Sequence, residues 1–298
     1  MKSKVYFTKE MTPESVIKMY KALGIDLPGK VAVKVHSGEK GNQNFLRPEF
    51  LKPMVDEVKG TIVECNTAYG DAFAGVRDHT ESHWKLIEYH GWSHFFKVDL
   101  MDAEGPDVVR EIPVHKVLEK DLLGKNIMNY DSMLVLAHFK GHPQGGYGGA
   151  LKQLSIGCAS ARGKALIHSA GVSDDNHECW QKHAEQSRFC EAMADAASAV
   201  VDLFKGKIAF INVMKNLSVD CDCCAVAEDP CMKDIGILAS LDPIAIDQAC
   251  VDLVYASNDP GRDHLIERIE TRNGVHTIEA AALLGYGSRE YELVNIDE

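Results

Sequence analysis

Residues Asp131–His142 read DSMLVLAHFKGH. The run Met133–Ala137 inside this stretch is apolar without alternation and ends at His138. A short continuous apolar run suits a strand buried on both faces, as in a parallel sheet covered by helices. On either side of it, strand-like and helix-like patterns alternate. Val31–Val35, TIVECN, FFKVDL and KIAFINVM read as strands, while SVIKMYKALGI (15–25) and TESHWKLIEYHGW have helical period. PEFLKPMVDEVKG and CEAMADAASAVVDLFKG read as helices stopped by Gly60 and Gly206. DPIAIDQACVDLVYA opens with Asp242-Pro243, an N-cap followed by proline at the first helical position. The expected fold is therefore α/β, with mostly parallel sheets, flanking helices and two lobes around a cleft. Residues 1–298 read as one unit with a soft internal boundary near 100–130, where EGPDVVREIPVHKVLEKDLLGKN breaks the alternation with paired-strand-like segments.

The 298 residues suffice for one large domain or two ordinary ones, with 45% hydrophobic and 26% charged residues typical of soluble chains. A net charge of −12 argues against nucleic acid or an anionic membrane as the main partner. No apolar stretch approaches the roughly 18 residues of a membrane span. The opening MKSKVYFTKEM lacks the apolar run of a secretory signal, so the expected location is cytoplasmic. There the nine cysteines are not expected to form structural disulfides. Cys65, Cys158, Cys190 and Cys250 lie in apolar contexts and read as buried small hydrophobes.

Ligands of open α/β sheets gather beyond the carboxyl ends of strands. His36, Glu64, Asn66, His138 and the segment Asn216–Cys231 all follow inferred strands. In that last segment, SVDCDCC (218–224) and Cys231 give the spacing C-x-C-C-x6-C. Crowded thiols are soft ligands for zinc or an iron–sulfur cluster, so Cys221, Cys223, Cys224 and Cys231 are metal candidates. A redox or persulfide role and unliganded thiols remain alternatives. Asp220 and Asp222 are expected to raise the thiol pKa values, a repulsion that a bound cation would relieve.

A second constellation spans residues 137–169. Gly145, Gly146, Gly148 and Gly149 form a loop that allows close backbone approach, but it lacks the G-K-[ST] of a P-loop. His138, Lys140, His142, Lys152, Lys164 and His168 surround it, a cationic cluster suited to a small anion or to a metal held by imidazole. A solvated surface loop is the bland alternative. A third group follows the strand TIV: Glu64, Asn66, Tyr69, Arg77, Thr80 and His83. Arg77 suits a substrate carboxylate or, equally, an internal salt bridge. Thr80 also reads as a helix start, and His276 as either a site residue or a helix-terminal group.

KVHSGEKGNQNFLRPEF, VECNTAYG, AHFKGHPQGGYGGALKQLSIGCAS, VDCDCC and DIGILASLDPIAIDQACVDL resemble the domain of unknown function 362 family. Its members are often labelled iron–sulfur cluster-binding proteins, and many carry an inserted ferredoxin segment that this chain lacks. The label therefore transfers here only through Cys221, Cys223, Cys224 and Cys231. GYGGALKQLSIG is also similar to the loop of the nickel-pincer lactate racemases, in which a histidine, a lysine and a second histidine line the cofactor site. His142, Lys152 and His168 have that spacing. The resemblance implies a cofactor contact for Lys152 and a metal-ligand or acid–base role for His168.

These readings predict a metal- or iron–sulfur-dependent enzyme acting on a small carboxylate-bearing substrate by redox or proton transfer. His142, Lys152 and His168 would be catalytic. His36, Glu64, Asn66, Arg77, His138, Gly148 and Gly149 would surround the substrate. Zinc or nickel are alternatives to the cluster. The competing readings are an iron–sulfur protein serving a redox partner protein, and a structural zinc with an unrelated ligand site at the glycine loop. The number of subunits is not set by the sequence.

Overall fold

The computed structural model describes residues 2–70 and 75–297. The strands of its first half are β1 (Ser3–Thr8), β2 (Val31–Lys34), β3 (Thr61–Glu64), β4 (Val98–Leu100), β5 (Val108–Glu111) and β6 (Lys120–Leu123). Those of the second half are β7 (Ser132–His138), β8 (Lys140–His142), β9 (Gly146–Gly148), β10 (Ile208–Met214), β11 (Gly236–Ser240) and β12 (Tyr291–Asn295). Eight of them form one sheet in the order β12-β1-β11-β10-β7-β2-β3-β4. β11 runs antiparallel to both its neighbours, and the remaining pairings are parallel. The fold is thus α/β with a large, mostly parallel sheet.

Met133–Ala137 lies in β7, between β2 and β10 near the middle of the sheet, and every residue of β7 is buried. Its side chains divide between the faces. Met133, Val135 and Ala137 join a core built with helices 150–158, 186–203 and 243–256. Leu134 and Leu136 join a second core against helices 13–22 and 48–57. With apolar helices on both faces there is no solvent side, which explains the missing alternation. Asp242 caps helix 243–256 by accepting from Ile244 N and Ala245 N, as its sequence predicts. Residues 108–123 form the antiparallel pair β5–β6, whose Leu122 packs with Ile167 and Phe189 in a third cluster. The main sheet takes strands from both sides of this segment. Among the described residues no helix is long and apolar enough to cross a membrane.

β2, β3, β7 and β10 are mutually parallel, so their carboxyl ends share one edge of the sheet. That edge carries the polar residues singled out by the sequence.

Candidate functional site

At this edge β2 ends in Lys34 and β3 ends in Glu64. Lys34 Nζ lies 2.6 Å from Glu64 Oε2, with both side chains buried. Ser37 donates to the other oxygen of Glu64 through its N–H (2.8 Å) and hydroxyl (3.0 Å). Burial raises the Glu64 pKa, but the charges of Lys34 and Arg77 outweigh it and hold the group at about 2. Arg77 is also committed. Its Nε meets Glu39 Oε2 at 3.1 Å, and its Nη2 donates to Tyr69 Oη at 2.9 Å. Of the two readings of Arg77, the structure contains the internal salt bridge. Asn66 positions neighbours rather than lining a cavity: it donates to Thr80 Oγ1 (2.9 Å), and its Oδ1 faces His83 Nδ1 (3.1 Å). Residues 71–74 of this constellation lie outside the described residues.

The glycine loop follows β7. β8 carries Lys140 and His142, helix 150–158 carries Lys152, and helix 161–168 carries Lys164 and His168. Gly146 adopts φ +78°, and a Cβ there would come within 2.8 Å of Gly274 Cα, so the turn requires glycine. A Cβ on Gly149 would meet Asp247 Oδ1 at 2.5 Å. Asp247 accepts from Ala150 N (2.8 Å) and Leu151 N (2.9 Å), clamping the start of the helix that bears Lys152. Gly149 therefore acts on the packing of the loop, whereas a Cβ on Gly148 would lie 3.3 Å from the Lys152 side chain. Sequence reading missed Asp247, although an acid inside the apolar helix PIAIDQACV was the available signal.

A cavity of about 540 Å³ opens at this edge, walled in part by His36, His142, Lys152, Lys164, His168 and Cys223. Thus the glycine loop and the cysteine segment share one site, a question the sequence left open. His142 Nε2 is 3.7 Å from Cys223 Sγ, and Lys152 Nζ is 3.7 Å from Cys221 Sγ. One donor atom each from His142, Cys221 and Cys223 lie within 4.8 Å of one another. His142 Nδ1 accepts from the backbone N–H groups of Gly145 (2.8 Å) and Gln144 (3.2 Å). A neutral ring in that position carries its proton on Nε2, facing the sulfurs. Burial, followed by the charge of Lys152, lowers the His142 pKa to about 4. His168 stacks on Phe189, with centroids 4.9 Å apart, and burial also keeps it neutral. Its Nδ1 is buried without a hydrogen-bond partner among the described residues.

The expectation that neighbouring acids oppose a thiolate fails at Cys221. Burial raises that pKa, but the hydrogen bond from Cys223 and the charges of Lys152 and Lys140 bring it well below the ordinary thiol range. Asp222 is turned away from the sulfurs, onto His138 Nδ1 (2.9 Å) and Lys140 Nζ (2.7 Å). The hydrogen bond to the Cys221 sulfur raises the pKa of Cys223. His138 is therefore a buried partner of Asp222 behind the cavity wall. Cys224 lines the cavity beside Cys223. Cys231 stands apart, with its Sγ donating to Leu217 O at 3.2 Å. His276 pairs with Glu191 (3.6 Å) and Glu279 (3.4 Å) in helix 275–284.

Protein groups already hold the cysteine loop. Asn42 Nδ2 donates to Cys221 O (3.2 Å) and Cys224 O (2.9 Å). Glu39 N reaches Asp222 O (2.7 Å), and Tyr69 Oη reaches Cys223 O (2.9 Å). Two thiols with imidazole nearby fit a soft metal ion such as zinc or nickel. A cluster held by all four candidate cysteines does not fit, because Cys231 faces Leu217.

Fold and site together define an α/β protein with a ligand cavity at the carboxyl edge of its sheet and a thiol–imidazole group in the cavity wall. Residues 31–252 match the family described as "Domain of unknown function (DUF362)", and the chain belongs to that family. No curated protein sequence matches it. Among solved structures it is similar to the lactate racemase apoprotein from Thermoanaerobacterium thermosaccharolyticum, at 13% identity and TM-score 0.41. That match covers 71% of this chain and 50% of the racemase. A structural-genomics target protein from Thermotoga maritima is similar at 10% identity and TM-score 0.42, over 93% of this chain and 59% of the other. The chain thus spans between half and three fifths of the length of these neighbours.

Proposed function

We propose that the chain is an enzyme that admits a small carboxylate-bearing substrate to this cavity and transfers a proton or electrons with the help of a soft metal. The observation that carries this reading is the 3.7 Å approach of His142 Nε2 to Cys223 Sγ, which joins the glycine loop and the cysteine segment in one cavity wall. Cys221 and Cys223 would hold the metal. Bound there, it supplies Lewis-acid or redox chemistry. The Lys152 ammonium balances thiolate charge at Cys221. Neutral His142 presents its N–H to the sulfurs and steadies them. Neutral His168, farther along the wall, takes a proton from the substrate. The apolar wall from Ala68, Ile156 and Trp180 lowers the local polarity and strengthens each of these interactions.

The spacing of His142, Lys152 and His168 resembles that of the lactate racemases, and this resemblance makes proton exchange at the carbinol carbon of a 2-hydroxy acid the first activity to assay. Protein purified without oxygen should exchange the carbinol hydrogen of at least one such acid with solvent, and Lys152→Ala should lower the rate by about 100-fold or more, the scale of a lost charge-stabilising group. Unchanged turnover in Lys152→Ala would refute the assignment.

A further inference from the structure

The cations of the cavity wall are not equivalent. Lys34 is paired with Glu64, Arg77 is paired with Glu39, and Lys152 faces the Cys221 sulfur. Lys164 also lines the cavity and is 6% exposed. The one hydrogen bond of its ammonium among the described residues runs from Nζ to the backbone carbonyl of Ala159, at 2.6 Å. No carboxylate oxygen lies within 4.0 Å of it among the described residues, although three acids stand near enough to act on its charge or respond to it.

Two of those acids are already occupied. Asp102 accepts from Asn66 N at 2.8 Å and from Ala161 N at 3.0 Å, one bond on each oxygen. Glu64 is held by Lys34 and Ser37. The third, Asp121, accepts from its neighbour Leu122 N at 2.8 Å, and burial pushes its pKa up to about 7. A buried ammonium with one carbonyl partner is costly, and an anion arriving through the cavity removes that cost.

We propose that Lys164 recognises the oxyanion of the cavity's ligand, a carboxylate or a phosphate group. This deepens the functional reading above, because it assigns substrate recognition to Lys164 in place of Arg77. It does not depend on the metal. Helix 161–168 fixes the position: Ser160 caps it through Gly163 N, and its first turn is tied to Asp102. The ammonium is therefore presented from a rigid element and loses little further freedom on binding.

The test is calorimetric titration of the full chain, as purified, with acetate, benzoate and inorganic phosphate at neutral pH. At least one probe should bind saturably. Lys164→Gln should weaken it by about tenfold or more, as expected for a lost charge-assisted hydrogen bond, and Lys164→Arg should restore most of the affinity. Binding of acetate or benzoate assigns the site to a substrate carboxylate, and binding of phosphate alone assigns it to a phosphate-bearing ligand. A parallel measurement needs no variant: reductive methylation of Lys164, followed by mass spectrometry, should slow at least severalfold in the presence of the probe that binds. Wild-type affinity in Lys164→Gln, methylation unaffected by a bound probe, or no binding of any probe by the wild type would overturn the proposal. Absence of metal from protein that still binds the probe would count against the metal reading alone.

Discussion

The two walls of the cavity differ in how their charges are matched. On the β2–β3 side Lys34, Glu64, Arg77 and Glu39 form a buried network in which each ion has an opposite partner. On the helices that follow the glycine loop, Lys152 (helix 150–158) faces a sulfur and Lys164 (helix 161–168) faces a carbonyl. The comparison teaches that a saturated buried network is scaffold, whereas unmatched buried cations and thiols are capacity held for a ligand. Breaking the first should cost stability, and breaking the second should cost binding.

The largest effect on stability is expected from Glu39→Ala, which leaves the Arg77 guanidinium buried with its Nε unpaired. Removing one member of a buried pair costs about 3–5 kcal/mol, so the urea midpoint should fall steeply while any metal content is retained. An unfolding free energy within about 0.5 kcal/mol of wild type would remove the distinction between the walls.

Acid should act next. Glu64 titrates at about 2 in the fold against an ordinary 4.5. A depressed carboxylate stabilises fully above its unfolded value, and that stability is lost as pH falls from about 4.5 through about 2. The contribution is of order 3 kcal/mol. Buried His83, held at about 3 against an ordinary 6.5, acts in the same direction over a higher window, as the unfolded chain gains a proton that the fold refuses. Buried Asp121 and Asp247, raised to about 7 and about 6, act in the opposite direction above about pH 4, so the fall in unfolding free energy should be steepest from pH 4.5 to pH 2. In Glu64→Gln the portion below pH 4.5 should flatten.

Much of this fold was legible in residue type. Met133–Ala137 and Ile208–Met214 gave the buried centre of the sheet because burial on both faces leaves an unbroken apolar run. Asp242-Pro243 gave a helix start because its bonds are local. The paired strands within residues 100–130 were readable for the same reason. The partners of charged residues were not. Lys34 stands out as the polar residue in VAVKV, but nothing nearby identifies Glu64 as its mate, and Glu39 drew no notice at all. Side-chain direction in the cysteine segment was equally hidden. Asp222 adjoins two thiols in sequence, yet it points to His138 and Lys140 because the turn Cys221–Cys224 sends it away. Local charge counting therefore gave the wrong sign for Cys221. The sequence could name His142, Lys152, Cys221 and Cys223, but only the long-range pairing of β7 with β10 puts them in one wall.

A smaller change tests how the cysteine loop is held. Asn42→Ala removes the two side-chain bonds to Cys221 O and Cys224 O and the two that Oδ1 accepts from Asn44 N and Phe45 N, and should cost about 2–3 kcal/mol in chemical denaturation. Because the loop keeps its bonds from Glu39 and Tyr69, Cys221→Ser with Cys223→Ser should change metal-free stability by less than about 1 kcal/mol. A large loss of metal-free stability in that double variant would make the thiols part of the scaffold.

The most direct measurement is elemental analysis, with a visible spectrum, of wild type and Cys221→Ser/Cys223→Ser purified side by side without oxygen. The account predicts a soft metal in the wild type, lost from the variant while the fold persists. A wild type without metal, or a variant that keeps its full complement, would contradict it.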